Sequence, residues 1–205
     1  MKLYLCSGEQ YSEPITAEEC LACAKRLRTP PCGYTYPLLK AMLLSNEDRS
    51  SSIHVTDVVG CLRKAYFYKK NNVPDYVHNY LAVFIGKAVH AYIEQFTDEQ
   101  GSSEVKVSHG DVVGSADYVT EDTVYDFKTT QKIIPKYLPY GKHLEQVSAY
   151  ASILQKQKGI ICYISTSGPS KCPECNKGLR YINGKATCVY CNYIDPQGHV
   201  GAYSI

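Results

Sequence analysis

The chain of 205 residues contains no tryptophan, no convincing repeat, no low-complexity segment and no long apolar run. Its first residues, Met1 to Cys6, lack the apolar stretch of a secretory signal peptide, and no later stretch is long enough to span a membrane. The formal net charge is only +2, so no basic field extends over the whole surface. These absences predict a soluble intracellular protein whose affinity for any polyanion comes from local patches.

Cysteine and tyrosine are abundant, with ten and nineteen residues respectively, and 44% of the residues are hydrophobic. A chain of this length can form one main core and small appendages that metal ions stabilise. In a reducing compartment, paired Cys-x-x-Cys motifs bind metal far more often than they form disulfides. The composition therefore predicts one principal core with metal-stabilised modules.

The C-terminal cysteines form two such motifs, Cys172-Pro-Glu-Cys175 and Cys188-Val-Tyr-Cys191. The twelve residues between them include Asn183-Gly184, which is a typical hairpin turn. Two facing motifs supply the four thiolates of a tetrahedral zinc site, the pattern of a zinc ribbon. The alternatives are four free or disulfide-bonded cysteines, and an iron–sulfur centre in which three of these residues join Cys61.

A second set, Cys6, Cys20, Cys23 and Cys32, contains only one compact motif and so gives a weaker metal signal. The segment Thr16-Ala-Glu-Glu matches a capping box and predicts a short helix whose first turns carry two of these cysteines. The set predicts a second zinc site. Buried cysteines without a metal are the alternative.

Two acidic residues, Asp117 and Asp126, are predicted to lie on neighbouring strands. A strand from 122 to 129 places Val124, Asp126 and Lys128 on one face, because side chains alternate along a strand. If the preceding strand pairs antiparallel with it, both carboxylates reach one place and can hold one or two hard divalent cations. Lys128 would neutralise charge beside the metal or help to activate water, an arrangement that suits metal-dependent phosphodiester cleavage. An ordinary β-hairpin with a surface Asp-x-Lys pair is the alternative.

A helix is predicted from about Asn79 to Gln95, and His90 lies nearly opposite the centre of its apolar stripe. The alternative for His90 is a solvated surface histidine with Glu94 as its partner one turn later. The residues of the stripe, which we expect to be buried, are Leu81, Ile85, Ala88, Val89, Tyr92 and Phe96.

A second helix is predicted from Lys142 to Gln155, with Gln146 and Tyr150 one turn apart on its flank. Such a pair can hydrogen-bond a phosphate or position Lys128. The stripe predicted to be buried on this helix consists of Leu144, Val147, Ala151 and Leu154.

The order and spacing of these motifs resemble the RecB-like branch of the PD-(D/E)xK nuclease superfamily, in particular the CRISPR-associated Cas-four exonucleases and their viral relatives. The resemblance runs from about Ile53 to Ser165. It begins with a helix that carries Thr56-Asp57 and then Cys61-x-Arg63-x-x-Tyr66. In chain order, the motifs that follow are His90, Asp117, Asp126-x-Lys128 and Gln146-x-x-x-Tyr150.

The resemblance implies an α/β fold with a restriction-endonuclease-like core, in which helices flank a mixed central sheet. It implies a catalytic lysine, Lys128, and a supporting pair, Gln146 and Tyr150. It also implies that catalytic Mg²⁺ or Mn²⁺ is bound by His90, Asp117, Asp126 and the backbone carbonyl of Phe127.

The same resemblance implies exonuclease action on single-stranded DNA or DNA ends. It further implies a partner in CRISPR adaptation or viral recombination, and the cytoplasm of a prokaryotic cell or of an infected prokaryotic host. Members commonly hold an iron–sulfur cluster through one cysteine of the opening helix, matched here by Cys61, and three near the C-terminus. The two C-terminal motifs of this chain depart from that pattern.

The predicted organisation is a cysteine module with a helix in 1–45, a nuclease core in 53–166, and a zinc ribbon with a tail in 168–205. The rival interpretation is a catalytically silent nucleic-acid-binding or assembly protein, in which the zinc modules act and the core is a scaffold. Tyr66 is a candidate for base stacking. Candidate phosphate contacts are Arg63, Lys64, Lys69, Lys70, Lys132, Lys136 and Lys142.

Overall fold

The computed structural model describes residues 2–6, 13–27, 30–44, 52–71, 73–96, 100–131, 138–166, 172, 174–178, 180–182, 185–194 and 200–204. The chain divides into two units, Met1–Tyr92 and Ile93–Ile205. The architecture is mixed α/β, with a mixed central sheet, helices and a cysteine cluster near the C-terminus, as the sequence predicts. Lys132 and Lys136 lie outside the described residues.

The first unit contains a small three-stranded sheet and most of the helices. Its elements are β1 (Leu3–Leu5), β2 (Ile15–Thr16), α1 (Ala17–Arg26), α2 (Tyr36–Leu44), β3 (Ile53–His54), α3 (Val55–Val58), α4 (Leu62–Asn71), β4 (Asp75–Tyr76) and α5 (Asn79–Glu94), the last of which continues into the second unit. In the three-stranded sheet, β1 pairs antiparallel with β2 and parallel with β4. The core of this unit consists of Tyr4, Cys20, Ala24, Leu39, Met42, Leu43, Val77 and Tyr80.

Helix α1 begins at the predicted capping box. The backbone N–H of Glu19 donates to Oγ1 of Thr16 at 3.2 Å, and the backbone N–H of Thr16 donates to the Glu19 carboxylate at 2.7 Å. Both groups would otherwise be left without a helical partner. The box fixes where the helix starts, and it thereby places Cys20 in the core.

The predicted opening helix is two helices, because α3 ends at Val58 and α4 begins at Leu62. Gly60 lies in the break, where a Cβ atom would be only 3.1 Å from the backbone oxygen of Thr56. Lys69 of α4 forms an ion pair with Asp57 of α3 and so connects the two helices. The break places Cys61 just before α4 rather than within a helix.

Helix α5 has the predicted bounds to within one residue, but the prediction that its whole apolar stripe is buried is wrong. Tyr92 is 63% exposed and Phe96 is also exposed. Among the described residues, the helix packs on the core of the first unit through its first turns, at Tyr80, Leu81 and Phe84. The stripe therefore extends beyond the core that its beginning covers.

The second unit contains the larger sheet. Its elements are β5 (Gly101–His109), β6 (Val112–Thr120), β7 (Thr123–Thr130), α6 (Gly141–Ile153), β8 (Lys158–Ser165), β9 (Arg180–Ile182), β10 (Lys185–Thr187) and β11 (Val200–Ser204). Within this unit the strand order is β11-β8-β7-β6-β5, in which β7 and β8 are parallel and the other neighbours are antiparallel. Helix α6 lies between the parallel strands in the chain, as a crossover connection requires.

Helix α6 has nearly the predicted bounds, but its buried face differs from the prediction. Gln146 and Tyr150, on the flank of the predicted stripe, are buried together with Val147, so the buried face extends beyond that stripe. The reason is Gly114 of β6, whose missing side chain leaves room for the Tyr150 ring. A Cβ atom on Gly114 would lie 2.8 Å from Cε1 of that ring.

No helix among the described residues has both the length and the apolar character that a membrane crossing needs.

Candidate active site

The predicted acidic residues lie at neighbouring positions of the large sheet. Strands β6 and β7 pair antiparallel with Tyr118 opposite Tyr125, so the next residues along the two strands are Asp117 and Asp126. The backbone N–H of Phe127 donates to Oδ2 of Asp117 at 2.6 Å. The Asp117 carboxylate thus accepts a hydrogen bond from the backbone of β7. This bond holds the carboxylate against the strand that carries Asp126.

Asp126 is fully buried, at 0% exposure. Its Oδ1 accepts a hydrogen bond from the Lys128 ammonium at 2.8 Å, and Lys128 is about one-fifth exposed. The second oxygen, Oδ2, accepts no hydrogen bond within the described residues. Burial of a carboxylate is costly unless a cation or donors compensate for it. The alternation along β7 therefore brings a buried anion and a partly exposed cation together, as predicted.

Sequence reasoning missed Glu104, which extends the acidic row by one strand. Ser103 pairs with Tyr118 and Val105 with Ala116, so Glu104 lies opposite Asp117. Ligand oxygens of Glu104 and Asp117 lie within 4.8 Å of each other. Glu104 has a φ of +49°, which is uncommon for a residue other than glycine. The position of Glu104 opposite Asp117 depends on the register of β5 on β6, which the turn at Gly110 sets. A prediction of that register would have been needed to find it.

Glu104, Asp117 and Asp126 form a row of three carboxylates across three adjacent strands. Like charges at opposed positions of neighbouring strands repel each other. Lys128 offsets one of the three charges. Carboxylate oxygens are the hard ligands that Mg²⁺ and Mn²⁺ prefer, so the donor set fits the divalent cation that the sequence predicts.

The buried pair of α6 lies close to this row. Nε2 of Gln146 donates to the hydroxyl oxygen of Tyr150 at 3.3 Å. Burial raises the pKa of the Tyr150 phenol, the Gln146 hydrogen bond acts to lower it, and the charges of Asp126 and Asp117 raise it further. Tyr150 is therefore a neutral phenol within electrostatic reach of both carboxylates.

His143 is a second residue that sequence reasoning missed. Its Nδ1 lies 2.8 Å from the hydroxyl oxygen of Tyr163, which also accepts the backbone N–H of Tyr140 at 3.1 Å. Burial, together with the positive charges of Lys128 and Lys142, lowers the pKa of His143 to about 4. The imidazole is therefore neutral at ordinary pH. No periodicity indicated it, because its position depends on how α6 begins over β8.

Four of the predicted site residues lie in the first unit. His90 is half-buried on α5, and Arg63, Lys64 and Tyr66 are exposed on α4. Binding of the catalytic metal by His90 and by the Phe127 carbonyl stays a prediction, as does DNA binding by the α4 residues and by Lys132.

The four C-terminal cysteines come together in space. Ligand sulfurs of Cys172, Cys175, Cys188 and Cys191 all lie within 4.8 Å of one another. The sulfur of Cys172 is 3.5 Å from that of Cys191, and the sulfur of Cys175 is 3.4 Å from that of Cys188. Tetrahedral zinc with bonds of about 2.3 Å separates its sulfurs by about 3.8 Å. The cluster therefore has the composition and approximate dimensions of a four-thiolate metal site.

The two halves of this cluster repeat the same backbone geometry. Strands β9 and β10 form an antiparallel hairpin between them, as predicted. In each half, the N–H of the first cysteine donates at 2.7 Å to the carbonyl five residues later. An asparagine with positive φ follows each second cysteine, and these residues are Asn176 (57°) and Asn192 (58°).

Backbone donors also act on the thiols. Burial acts to raise the pKa of Cys188, but the N–H groups of Tyr190 and Cys191 and the thiols of its neighbours outweigh burial and lower the pKa to about 7. The hydrogen bond from the Tyr193 backbone acts to lower the pKa of Cys191, but burial and the neighbouring thiols together outweigh it and raise the pKa to about 12. A bound cation would favour the thiolate form of these cysteines, since the thiolate is the metal ligand.

The N-terminal cysteines are electrostatic neighbours. Burial, and then the charges of Cys32, Cys6 and Cys23, raise the pKa of Cys20 to about 12. All four are among the described residues, yet no three of them have sulfurs within 4.8 Å of one another. The second zinc site therefore stays a prediction.

The chain matches no protein-family model and no curated protein. Its structure is similar to the crystal structure of SSO0001, at 24% identity over 62% of this chain and 70% of that chain, with a TM-score of 0.49. It is also similar to an alkaline exonuclease, LHK-Exo, from Laribacter hongkongensis, at 10% identity over 63% of this chain and 75% of that chain, with a TM-score of 0.43. Because both TM-scores lie below 0.5, the case for a function rests on the residues themselves.

Proposed function

We propose that this protein is a divalent-metal-dependent deoxyribonuclease that hydrolyses phosphodiester bonds. The observation that carries the proposal is the buried Asp126 carboxylate, paired with Lys128 and adjacent in register to Asp117. A buried acid and a second acid on two paired strands can hold a divalent cation, and a partly exposed lysine beside them can offset charge on a bound phosphate. The motif order described above supports the same function.

Asp117, Asp126 and, by resemblance, His90 and the Phe127 carbonyl would hold Mg²⁺ or Mn²⁺. The bound ion would polarise the scissile phosphate and lower the pKa of the attacking water. Glu104 stands beside Asp117 and adds a third carboxylate to the same row.

The residues of the chain contribute position and charge. Asp126 holds the Lys128 ammonium at 2.8 Å, so this cation keeps one place while part of it faces solvent. From there it can donate a hydrogen bond to a phosphate oxygen and offset the negative charge that develops during hydrolysis. The Phe127 N–H donates to the Asp117 carboxylate and so holds it beside the strand that carries Asp126.

The substrate and the setting are narrower proposals. The motif resemblance supports exonuclease action on single-stranded DNA or DNA ends in a prokaryotic cytoplasm. It also supports a protein partner in CRISPR adaptation or recombination. We propose that the C-terminal cluster holds structural zinc, because its four thiolates close a tetrahedral site without Cys61. An iron–sulfur cluster that includes Cys61 is the alternative cofactor.

A second candidate function is a catalytically silent nucleic-acid-binding or assembly protein. One observation favours it. The second half of the cysteine cluster exposes three large apolar side chains, Val189, Tyr190 and Ile194, which suit a protein contact.

The experiment that separates the two functions is a cleavage assay on end-labelled single- and double-stranded DNA. Asp126→Ala and Lys128→Ala should each lower cleavage by about 10²-fold or more, with the fold unchanged by circular dichroism. Lys158→Ala is the matched control, since it removes an exposed lysine of β8 that pairs with Asp122, in the turn between β6 and β7.

Removal of divalent ions should stop the wild-type reaction, and Mg²⁺ or Mn²⁺ should restore it. Cleavage at the wild-type rate by either of the first two variants would show that the site does not act as proposed. Absence of cleavage by the metal-loaded wild type would favour the silent protein.

A further inference from the structure

Helix α4 is the most exposed helix surface of the first unit. None of its ten residues is buried, and only Ala65 and Lys69 are half-buried. Three consecutive aromatic residues, Tyr66, Phe67 and Tyr68, are exposed by 57%, 45% and 49%. A contiguous run of large exposed rings marks an interaction surface more often than scattered apolar residues do.

Each of these rings carries a cation placed four residues away. The Arg63 guanidinium lies over the Phe67 ring at 5.9 Å from its centroid. The Lys64 and Lys70 ammonium groups lie 5.5 Å from the ring centroids of Tyr68 and Tyr66, respectively. Residues four apart are neighbours on a helix, so the pattern of the sequence produces three parallel cation–ring pairs.

The six side chains share one broad face. At 3.6 residues per turn, they cover an arc of about 200° around the helix axis. Ala65 and Lys69 lie on the opposite side, where Lys69 pairs with Asp57. The helix contains no acidic residue, so the charge on the exposed arc is positive, and aromatic surface and Asn71 make up the rest of it.

We propose that this face of α4, made of residues 63, 64, 66, 67, 68 and 70, is a stacking platform for single-stranded DNA. The inference rests on the proposed nuclease function and adds to it a surface that binds the single strand. Unpaired bases offer aromatic faces to the rings, and their phosphates meet the three cations. A duplex keeps its bases stacked on one another and can use only the cations. The platform therefore discriminates by strandedness, which charge alone cannot do.

Charge complementarity indicates which partner binds this face of α4. Three cations without a neighbouring acid on the helix repel a second copy of the same face, because that face carries the same charge. A polyanion with exposed aromatic groups satisfies both the cations and the rings. Arg63 and the two lysines also keep N–H donors available while they lie over the rings.

The test measures binding by the full-length wild-type protein without added Mg²⁺ or Mn²⁺. The probe is a fluorescein-labelled oligothymidylate of about 16 nucleotides, compared with the duplex that it forms with oligoadenylate. The test variant, Tyr66→Leu/Phe67→Leu/Tyr68→Leu, keeps apolar bulk and helix propensity but removes the aromatic faces.

With two or more bases stacked, the Kd for the single strand should rise by about 20-fold or more in this variant. The Kd for the duplex should change less than about two-fold, since phosphate contacts are unchanged. A 2-aminopurine base in the single strand should report stacking on the wild type and lose that signal in the variant.

Two controls make the reading specific. Arg63→Gln/Lys64→Gln/Lys70→Gln should weaken the binding of both the single-stranded and the duplex probe. For the single strand it should also reduce the slope of log Kd against log salt concentration by about two. Tyr92→Leu removes a ring of another helix that is at least as exposed and should leave both Kd values unchanged. Unchanged circular dichroism and Tm show that the variants are folded.

The outcomes separate this proposal from the nuclease proposal. Tight, leucine-sensitive binding without cleavage in Mg²⁺ would keep the platform and reject the nuclease. Wild-type single-strand binding by the leucine variant overturns the platform, whether or not DNA is cleaved. An equal loss of duplex binding, or self-association that the leucine variant abolishes, overturns it as well.

Discussion

Replacement of Gly114 by alanine tests whether the packing of Tyr150 on β6 holds the acidic site in place. A Cβ atom at this position would lie 2.8 Å from Cε1 of Tyr150, 3.2 Å from its hydroxyl oxygen and 3.2 Å from Cγ2 of Val107. An ordinary contact begins at 3.4 Å. The ring must therefore move by about 0.6 Å, or the strand must shift, as in other overpacked cores.

The cost follows from the burial of the ring. Overpacking of a buried site costs about 1–3 kcal/mol. Alanine has less conformational freedom than glycine in the unfolded chain, which stabilises the folded state by about 0.5–1 kcal/mol. We expect a net loss of about 1–2 kcal/mol in the free energy of unfolding, which lowers the Tm by about 2–8 °C for a chain of this size. Urea denaturation and thermal melting measure both quantities.

Activity should fall further than stability. Movement of the ring breaks the hydrogen bond from Gln146, which is already 3.3 Å long. It also disturbs the backbone at Ser115, which contacts the Tyr150 hydroxyl two residues from Asp117. Displacements of this size at a catalytic site cost about 10- to 100-fold in rate.

Gly141→Ala is the matched control, because a Cβ atom there meets nothing within 4 Å, and alanine favours the helix that begins at this residue. The double variant Gly114→Ala/Tyr150→Leu should recover part of the lost stability, since the smaller side chain makes room for the new methyl group. Wild-type stability and activity in Gly114→Ala, or an unchanged cost in the double variant, would refute the reasoning.

Four further changes have defined outcomes. Tyr92→Ala should lower the free energy of unfolding by less than about 1 kcal/mol in urea, because the ring is exposed; a larger loss would mean that it packs. Elemental analysis should find one zinc ion lost in Cys172→Ser and none in Cys61→Ser, whereas a brown protein absorbing near about 400 nm would indicate iron–sulfur. The pKa of His143 falls from 6.5 to about 4 on folding, so the unfolded chain binds more protons than the folded chain between these pH values. The free energy of unfolding should therefore decrease as the pH falls from 6.5 towards 4. Urea titrations of His143→Gln at several pH values should lack this decrease. His90→Ala should need more Mn²⁺ for half-maximal cleavage, and a wild-type metal titration would leave His90 a surface residue.

Local signals predicted the elements that carry the site. Alternation of Val124, Asp126 and Lys128 predicted β7 and the face that the acid and the lysine share. The capping box at Thr16 fixed the start of α1. These predictions succeed because they depend on backbone geometry that a few adjacent residues determine.

The predictions of which helix residues are buried failed where burial depends on how far the core extends in three dimensions. Periodicity shows that Tyr92 belongs to an apolar stripe, but the stripe continues beyond the core that it covers. Gln146 and Tyr150 lie at the edge of their stripe by angle, yet Gly114 on a distant strand leaves room to bury them. Glu104 was missed because its role depends on register across a hairpin, which no periodicity in its own strand reveals.

The cysteine cluster also has a mechanical consequence for the edge of the sheet. It lies within the connection of residues 166–199 that joins β8 to β11, two antiparallel neighbours. A metal ion that clamps Cys172 to Cys191 would reduce the connecting segment from about 26 residues outside the β9–β10 hairpin to about 14, so that its closure would cost about 0.5 kcal/mol less entropy. The ion would then stabilise the pairing of β11 with β8 by shortening the segment that connects them. We expect β11 to separate from the sheet more readily when the protein loses its metal.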